Sequence, residues 1–421
     1  METTKQEHHR PMTVCEKILL HHALGHKTQS VEPGDVLRVA PDWLLSSEAA
    51  WYGMEKTYNR MGRPGFFRKD RFWLAPDHVV DPRVNHEPRP KAMIDSCESI
   101  AKEMDLGDNY SPPNTTIMHT EFYRSRCQPG MLVIGADSHT SSAGCLGALA
   151  IGMGPTDLII QLVTGETYIE VPEVVRIRFI NVPPLGLSGK DVILGVMRQL
   201  KRNTVAAGRL VEYTGEGLRH LSCDARFAIA NMTTEFGGIG ACVVPDEVTV
   251  QYMEKRRNPK HKSHCVYFCP DEAAHYAGSY DVDLSKLNHF VALYPSPDNV
   301  APVTEAVLPT FQGCFIGACT TSEEDLILAA LVLRECLKIG MTPSAPGLRK
   351  VTPGSIPIVN RLKELGLIGY YEKAGFVVGA PGCSYCVGMG VDKAGRGENW
   401  LSSQNRNYRD RMGPGRHPSS S

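Results

Sequence analysis

Residues 375–386 read Gly-Phe-Val-Val-Gly-Ala-Pro-Gly-Cys-Ser-Tyr-Cys. The apolar run at the start predicts a buried strand, and the Gly/Pro turn after it lets the backbone wrap closely around a bulky group. Cys383 and Cys386 end the turn in a CxxC pair, a spacing found in redox dithiols, zinc sites and iron–sulfur sites. A glycine-rich stretch, Val387-Gly-Met-Gly390, follows the pair. A redox dithiol, which would open a long helix, is therefore disfavoured.

Two further segments repeat this order of strand and polar loop. Residues 131–135 form an apolar run before Asp137-Ser-His139, and residues 314–317 form one before Cys319. Ligands collect at the C-terminal ends of parallel strands, so side chains in these loops are candidates for one site. The alternation of such runs with helical patterns predicts an α/β architecture with mainly parallel sheets.

Helical signals and domain boundaries complete the predicted organisation. Apolar residues recur at helical spacing over 192–200, and residues 326–337 form an apolar helix preceded by Ser322 as N-cap. Residues 143–153, rich in Gly and Ala, are also interpreted as helical. Boundaries near 171–172 and at the Pro-rich segment 294–298 predict three α/β units: residues 1–171, 172–293 and 294–421.

Composition and charge exclude several classes of function. Lys and Arg total 45 against 46 Asp and Glu, which gives a net charge of −1 and no basic field for nucleic acid or an anionic membrane. The short basic stretch at 255–262 is interpreted as a solvated loop. No run approaches the ~18 apolar residues of a membrane span. Residues 1–10 resemble neither a secretion signal nor a transit peptide, which predicts a cytosolic protein whose 13 cysteines stay reduced.

Three cysteines at two of these strand ends predict a metal site with one open position. Zinc would need a histidine beside Cys319, Cys383 and Cys386, whereas a cubane iron–sulfur cluster with one iron not bound by protein would use the three thiolates directly. A second loose group of zinc-type ligands lies in a predicted surface insertion: His261, His264, Cys265 and Cys269.

Four polar motifs are candidates for acids, bases and anion clamps. In Asp77-His78 the carboxylate can raise the pKa of its neighbouring imidazole, which suits it to act as an acid. Asp137-Ser-His139 combines groups that bind a carboxylate and move protons. Glu235 precedes a glycine-rich turn, and the arginines of 405–411 suit bidentate binding of a dicarboxylate. Taken alone, each motif is equally well explained by a helix cap or a solvated surface.

In order and content these motifs resemble the aconitase superfamily, from about Val14 to about Gly413. The compact size resembles the separate large subunit of isopropylmalate or homoaconitate isomerases. The resemblance implies three α/β domains around a central cluster cleft, without the family's swivelling fourth domain. The matching pieces, in the family's order, are Asp77-His78, Gly135-Ala-Asp-Ser-His-Thr140, Asn231-Met-Thr-Thr-Glu235, Gly317-Ala-Cys-Thr320, Pro381-Gly-Cys-Ser-Tyr-Cys386, and Ser403-Gln-Asn-Arg-Asn-Tyr408 with Arg411.

The resemblance also implies an activity, namely reversible removal and readdition of water on a substituted malate such as isopropylmalate, homocitrate or a bulkier analogue. Cys319, Cys383 and Cys386 would hold a [4Fe–4S] cluster whose fourth iron acts as a Lewis acid. The remaining roles divide into acid–base chemistry by Asp77, His78, Asp137, His139 and Glu235, and substrate binding by Ser138, Asn231, Arg406 and Arg411.

The family's catalytic base is a serine on the swivelling domain, which nothing in this sequence resembles, so a small-subunit partner is expected. Three departures indicate a divergent member acting in a specialised pathway, or one with altered activity. Thr321 replaces the family's Asn, His119-Thr120 replaces its His-Gln, and the chain stops soon after Arg411. A cluster-free regulatory or RNA-binding protein of the same fold is the alternative. The near-neutral charge and the presence of all three cysteines favour the enzyme.

Overall fold

The computed structural model describes residues 10–257, 259–261, 263–344, 346–414 and 419–420. Residues 1–9 of the N-terminal stretch, Lys262 of the basic stretch, and the tail residues 415–418 and 421 lie outside this range. The described helices are α1 (Val14–His21), α2 (Glu48–Arg60), α3 (Pro88–Glu103), α4 (Met118–Ser125), α5 (Pro155–Thr164), α6 (Gly189–Leu200), α7 (Cys223–Asn231), α8 (Thr233–Phe236), α9 (Glu247–Lys255), α10 (Glu323–Lys338), α11 (Ile356–Glu364) and α12 (Ile368–Lys373). None of these helices has the length and apolar character needed to cross a membrane.

Most strands belong to two large sheets, and β1 and β6 form a separate antiparallel pair. The strands are β1 (Val36–Val39), β2 (Trp43–Ser46), β3 (Phe72–Leu74), β4 (Leu132–Gly135), β5 (Leu149–Gly152), β6 (Thr167–Glu170), β7 (Val174–Ile180), β8 (Leu210–Thr214), β9 (Gly240–Val243), β10 (Gly278–Asp283), β11 (Phe290–Ala292), β12 (Val300–Pro302), β13 (Gly313–Ile316), β14 (Arg349–Val351), β15 (Val377–Val378), β16 (Trp400–Ser402) and β17 (Ser419–Ser420).

The first sheet has the order β10-β7-β8-β9-β5-β4-β2-β3. Every neighbouring pair is parallel except β5 and β9, where Ala150 lies opposite Ala241 and Ile151 opposite Gly240. This antiparallel seam joins two parallel blocks that run in opposite directions. Residues that precede β9 therefore lie at the same edge of the sheet as residues that follow β4.

The second sheet has the order β12-β11-β17-β16-β13-β14-β15, and its strands from β13 onwards are mutually parallel. The predicted α/β class with mainly parallel sheets is thus confirmed. The first sheet takes strands from both sides of residues 171–172, whereas the second is formed by strands from residue 290 onwards. The division into three units stays a prediction.

Strand β4 illustrates why these short apolar runs become central strands. All four of its residues are buried, and their side chains alternate between two cores. Val133 belongs to one hydrophobic cluster, whereas Leu132 and Ile134 belong to the other. A strand covered on both faces in this way needs a continuous apolar run, the pattern that residues 131–135 display.

Two of the three predicted helices are confirmed and one is wrong. Helix α6 covers 192–200, and α10 covers 326–337 and begins with a capping box between Ser322 and Asp325. The segment predicted as helix at 143–153 instead contains the end of a 3₁₀ helix, Ser138–Leu146, followed by β5. Gly144 explains the difference: a side chain there would lie 2.2 Å from the carbonyl oxygen of Ala241, so tertiary packing selects these glycines.

Candidate active site

A cavity of about 200 Å³ lies where the C-terminal ends of parallel strands from the two sheets meet. The first sheet supplies the loops after β3 and β4, and the second supplies the loops after β13, β15 and β16. Strand ends of this kind are the usual place for ligand binding in parallel sheets. The wall consists of His78, His119, Asp137, His139, Cys319, Cys383, Cys386, Val387, Asn405, Arg406 and Arg411.

The side chain of Glu48 fixes the loop after β3. This buried carboxylate accepts hydrogen bonds from the backbone N–H groups of Asp77 at 2.8 Å, His78 at 3.2 Å and Val79. Because β2, β3 and β4 are adjacent, the first residues of α2 and the loops after β3 and β4 lie side by side. The position of His78 is therefore set by the backbone before any ligand binds.

Both ring nitrogens of His78 face carboxylates. Nδ1 contacts Asp77, and Nε2 lies 3.1 Å from Oδ2 of Asp137. Burial alone would lower the pKa of His78, but the two carboxylates raise it well above its usual value. Since a carboxylate only accepts hydrogen bonds, both nitrogens carry protons in this arrangement. His78 is thus an imidazolium at the cavity wall, a group able to donate a proton.

Asp137 is the centre of a network of three histidines. Its carboxylate accepts hydrogen bonds from His119 Nε2 at 3.0 Å, from His78 at its other oxygen, and from the backbone N–H of His139 at 2.7 Å. Burial would raise the pKa of Asp137, but the imidazoles around it lower the pKa well below the usual value. The carboxylate therefore stays ionised and fixes the orientation of the rings.

The antiparallel seam brings Glu235 to the same edge, because α7 and α8 precede β9. Glu235 Oε1 accepts from His139 Nε2 at 2.9 Å and from Arg406 Nε at 2.6 Å. Burial would raise the pKa of Glu235, but these two cationic partners lower it. Burial would likewise lower the pKa of His139, while the charges of Cys319 and Glu235 raise it to about 9.

The sulfur atoms of Cys319, Cys383 and Cys386 belong to the opposite wall. Cys319 Sγ accepts from the side-chain amides of Asn405 at 3.2 Å and Asn231 at 3.4 Å. Contact with the Cys383 thiol lowers the pKa of Cys319 well below its usual value, and the neighbouring imidazoles act in the same direction against burial. The wall therefore favours a thiolate at Cys319.

The CxxC pair is positioned mainly through the backbone. The N–H of Cys383 donates to the carbonyl oxygen of Asp77 at 2.6 Å, which ties the loop after β15 to the loop after β3. The sulfur contacts are long, at 4.0 Å from Cys383 Sγ to Asp77 and 3.9 Å from Cys386 Sγ to Asn405.

Two arginines complete the wall. Arg406 Nη2 donates to Ser138 Oγ at 2.8 Å, which together with the Glu235 contact fixes its guanidinium plane. Among the described residues, the buried Nε of Arg411 has no hydrogen-bond partner. A guanidinium with a donor to spare beside a polar cavity suits a carboxylate ligand.

The sequence matches the family model described as "Aconitase family (aconitate hydratase)" over residues 16–313 and 309–418. The chain belongs to the aconitase family. It is 53% identical over 407 residues to "Aconitase htyD" of Aspergillus rugulosus, which covers 96% of this chain and 46% of that protein. It is 50% identical to the "3-isopropylmalate dehydratase large subunit gloJ" of Glarea lozoyensis, over 96% of this chain and 44% of that protein.

A bacterial relative differs in coverage. The "3-isopropylmalate dehydratase large subunit" of Caldicellulosiruptor saccharolyticus is 32% identical over 98% of this chain and 92% of that protein. The chain thus spans about half the length of these two fungal relatives and nearly the whole of the bacterial large subunit. The resemblance inferred from the motifs is confirmed.

Every site residue predicted from the aconitase-family motifs lines this cavity or contacts a residue that does. Asp77, Ser138, Asn231 and Glu235 each contact a residue of the wall. The cavity itself is lined by the other predicted residues: His78, Asp137, His139, Cys319, Cys383, Cys386, Arg406 and Arg411. Their roles in the chemistry stay predictions.

Sequence reasoning missed two wall residues, His119 and Asn405. Asn405 Nδ2 lies within hydrogen-bonding distance of Cys319, of His139 Nε2 at 2.8 Å and of Asn231 at 3.1 Å, so it connects the two walls. Its position next to Arg406 in a quoted motif was the available signal. The signal for His119 was its position next to the substituted Thr120.

The two substituted positions within the family pattern lie behind the wall. The buried Thr120 contacts the carbonyl oxygen of Cys319 at 3.5 Å. The Thr321 hydroxyl contacts the carbonyl oxygen of Gly317 and lies 3.0 Å from Ser403 Oγ. Both threonines therefore contact the cysteine loop, and neither lines the cavity.

The alternative zinc group at 261–269 has no support. His261 packs edge-on against Trp43 and contacts Arg71. Within the described part of the chain, Glu48, Asp77 and His78 form the one group of His, Cys, Asp or Glu ligand atoms that all lie within 4.8 Å of one another. Because Glu48 is engaged by three backbone N–H groups, that group fixes a loop and does not indicate a second metal site.

The thiols and amide groups of the cavity wall fit an iron–sulfur cluster. The described wall offers three thiols on two loops, amide donors directed at sulfur, and no fourth cysteine. This combination is what a cluster with one iron free of protein ligands requires, since hydrogen bonds to sulfur tune such clusters.

Proposed function

We propose that the protein is a [4Fe–4S]-dependent hydro-lyase that isomerises a substituted malate by removing and re-adding water. The observation that carries the proposal is the pairing of the two walls. Three thiols face an ionised carboxylate, an imidazolium and two guanidinium groups across one small cavity. A dicarboxylic acid with a hydroxyl group to be protonated is the ligand that matches such a wall.

Cys319, Cys383 and Cys386 are the proposed cluster ligands. Asn231 and Asn405 would donate hydrogen bonds to the Cys319 sulfur in the loaded protein, as they do here. The iron without a cysteine ligand would supply Lewis-acid chemistry toward the substrate's hydroxyl and carboxylate groups.

Residues of this chain donate the proton and bind the substrate. His78 donates its proton to the leaving hydroxyl, the C–O bond breaks, and water departs. Asp77 and Asp137 keep His78 protonated until that step. Arg406 and Arg411 bind the carboxylates.

The proton on carbon has to go to a base, which we assign to a small-subunit partner. The name of the bacterial relative, a large subunit, supports a second polypeptide. The proposed substrate class rests on the names of two relatives, both called 3-isopropylmalate dehydratase large subunits. Identity of 50–53% to fungal relatives, against 32% to the bacterial one, supports the proposed setting in specialised metabolism. We further propose a cytosolic location.

The regulatory or nucleic-acid-binding alternative is less favoured. The basic residues Lys255 and Arg257 line a cleft of about 380 Å³ together with acids, among them Glu121, Glu323 and Glu364. Mixed charges of this kind give no continuous cationic surface for a phosphate backbone.

Anaerobic iron and sulfide quantification with a visible spectrum tests the proposal. We expect roughly four irons per chain and broad absorbance near ~400 nm in the reconstituted wild type, both lost in Cys383→Ser. Cys336→Ser is the matched control, because Cys336 lies on α10 outside the cavity wall and should leave the cluster intact. A colourless, iron-free wild type after reconstitution would sink the proposal. With iron present, hydration of unsaturated diacids is then assayed with candidate small subunits.

A further inference from the structure

A cluster of ion pairs crosses the outer side of the site, away from the cavity. Asp81 and Arg83 lie on the loop after β3, a few residues beyond His78. Asp392 lies on the loop that follows Cys386, and Lys350 belongs to β14. We call these four residues the loop clamp. None of them lines the catalytic cavity.

Arg83 is held on two sides. Its Nη1 and Nη2 donate to the two carboxylate oxygens of Asp392 at 2.9 and 2.7 Å. Its Nε and Nη2 donate to the two oxygens of Asp81 at 2.9 and 2.7 Å. Both pairs are bidentate, the geometry that gives a guanidinium its directional strength and that a lysine does not reproduce.

The loop clamp is more than an isolated surface pair. Asp392 also accepts from Lys350 Nζ at 2.9 Å, and Asp81 accepts from the backbone N–H of Val391 at 3.3 Å. Side-chain exposure is 7% for Asp81, 11% for Lys350 and 25% for Asp392, although Arg83 itself is 48% exposed. Single exposed ion pairs contribute little, whereas bidentate networks with buried members contribute measurably.

The loop clamp continues inward to the thiols. Lys350 Nζ lies 4.6 Å from the ring centroid of Tyr385, which stands between Cys383 and Cys386 in sequence. The buried Tyr385 ring packs on Phe315, with centroids 4.6 Å apart. The same two loops are also tied at the inner side by the Cys383 N–H to Asp77 bond.

The Cys319 loop is held by different groups. The Gly317 N–H donates to Ser403 Oγ at 2.8 Å, and Ser403 Oγ donates back to the Gly317 carbonyl at 3.1 Å. Because the Cys319 thiol also contacts Cys383, the reference for the CxxC pair is Cys336, which lies on α10 and off the cavity wall.

We propose that Arg83 and Asp392 are positioning residues that hold the Cys383–Cys386 loop against the His78 loop before a cluster binds. The glycine-rich stretch after the pair turns back on the CxxC loop, with Gly388 at φ +72° and the N–H groups of Met389 and Gly390 donating to the Ser384 carbonyl oxygen at 2.8 and 2.9 Å, so its far end moves with that loop. Pinning Asp392 beyond this stretch restricts the loop and keeps both thiols at the cavity. The catalytic meaning of this arrangement rests on the proposed function, but the loop clamp itself is a property of the metal-free chain.

Alkylation of the metal-free protein tests the inference. Under anaerobic conditions the rate of iodoacetamide modification is followed at each cysteine by mass spectrometry. Arg83→Met and Asp392→Asn should each speed modification of Cys383 and Cys386 about tenfold, as the loss of one charge-assisted network would give, and leave Cys336 unchanged. Arg83→Lys keeps the charge but loses the bidentate contacts. Its modification rates at Cys383 and Cys386 should lie between those of these variants and wild type.

Two controls separate positioning from general loosening. Arg63→Met removes another partly exposed arginine and its pair with Glu103, and should change none of the three rates. The double variant Arg83→Met/Asp392→Asn should match the single variants, because both substitutions cut the same tie. If either single variant fails to fold, the other and Arg83→Lys carry the test.

Equal acceleration at Cys336, or the same effect in Arg63→Met, would overturn the inference, as would unchanged rates at Cys383 and Cys386. In loaded protein, Arg83→Met should also lose visible absorbance to a chelator several-fold faster than wild type. A wild type that takes up no iron contradicts the proposed function and leaves the alkylation comparison valid, so the two failures are distinguishable.

Discussion

The two walls of the cavity are constructed in different ways. On the His78 side, polar groups satisfy one another, with Asp137 bound to three histidines and Glu235 to His139 and Arg406. On the cysteine side, contacts to sulfur range from 3.2 to 4.0 Å and the loops are fixed largely through backbone groups.

The acid–base wall is organised by the fold alone, whereas the geometry of the cysteine wall is completed by the group that it binds. Hydrogen-bonded charges in a buried setting orient each other, so the acid–base wall is organised in the chain alone. The thiols have fewer and longer contacts, so their geometry depends more on loop ties and on the group they bind. Substitutions should therefore affect either the chemistry or the retention of a cluster, depending on which wall they alter.

The largest effect on activity alone should come from Asp137→Asn. An amide presents N–H where the histidines need an acceptor, so the orientation and protonation of His78 are lost. Turnover should fall about 10³-fold, within the usual range for positioned acid–base groups, while iron per chain stays at the wild-type level. Turnover and iron content are measured on the same preparation, with the exposed Asp95→Asn as control. Loss of iron in Asp137→Asn would contradict the separation of the walls.

A contact that supports the loop after β16 predicts a pH-dependent difference in stability. The buried Lys190 on α6 donates to the carbonyl oxygens of Ser403 at 2.7 Å and Gln404 at 2.6 Å, just before Asn405 and Arg406. Burial lowers the pKa of Lys190 to about 7, although nearby acids oppose the shift. An unfolded lysine keeps its proton to about pH 10.4, so between these values the unfolded state binds more protons and stability rises with pH.

Lys190→Met isolates that contribution. The free energy of unfolding of wild type minus that of the variant should rise between pH 7 and pH 10 by on the order of 3 kcal/mol. Below pH 7 both states are protonated, so the difference should level off there. Chemical denaturation at several pH values measures it, and a difference independent of pH would show that Lys190 is not titrating as described.

The smallest of the three effects is expected for Asn405→Ala on the cysteine side. The substitution removes a donor to the Cys319 sulfur, and outer contacts of this kind change metal affinity by roughly 10- to 100-fold. Visible absorbance should decay faster by that factor under a chelator. Asn407→Ala is the matched control, because Asn407 donates to the Ala292 carbonyl and lies off the cavity wall. Equal decay in both variants would point to a general loss of stability.

The sequence allowed prediction of the features that depend on local pattern. The strands before Asp137, Cys319 and Cys383 are present as β4, β13 and β15, because an apolar run followed by a Gly-containing turn is a local signal. Assigning the loops to one site followed from the rule for parallel strand ends and from the family resemblance.

What sequence reasoning missed depends on contacts between distant segments. The pairing of β5 with β9 is antiparallel in an otherwise parallel sheet, and no local motif marks it. Glu48 supports the His78 loop from the first turn of a helix, where an acidic residue is ordinary. The helix predicted at 143–153 failed because the packing of Gly144 against Ala241 is invisible in sequence.

The seam between β5 and β9 also determines where the chain tolerates changes in length. Glu235 is separated from Gly240 by four residues, and the pairing of Gly240 with Ile151 fixes where that segment starts. The residues between them end α8 and form a turn in which the N–H groups of Gly237 and Gly238 donate to the Thr233 carbonyl oxygen, so one inserted residue would break the turn and withdraw Glu235 from His139. Insertions and deletions should therefore be excluded from residues 236–239 and accumulate at exposed turns such as that around Leu185.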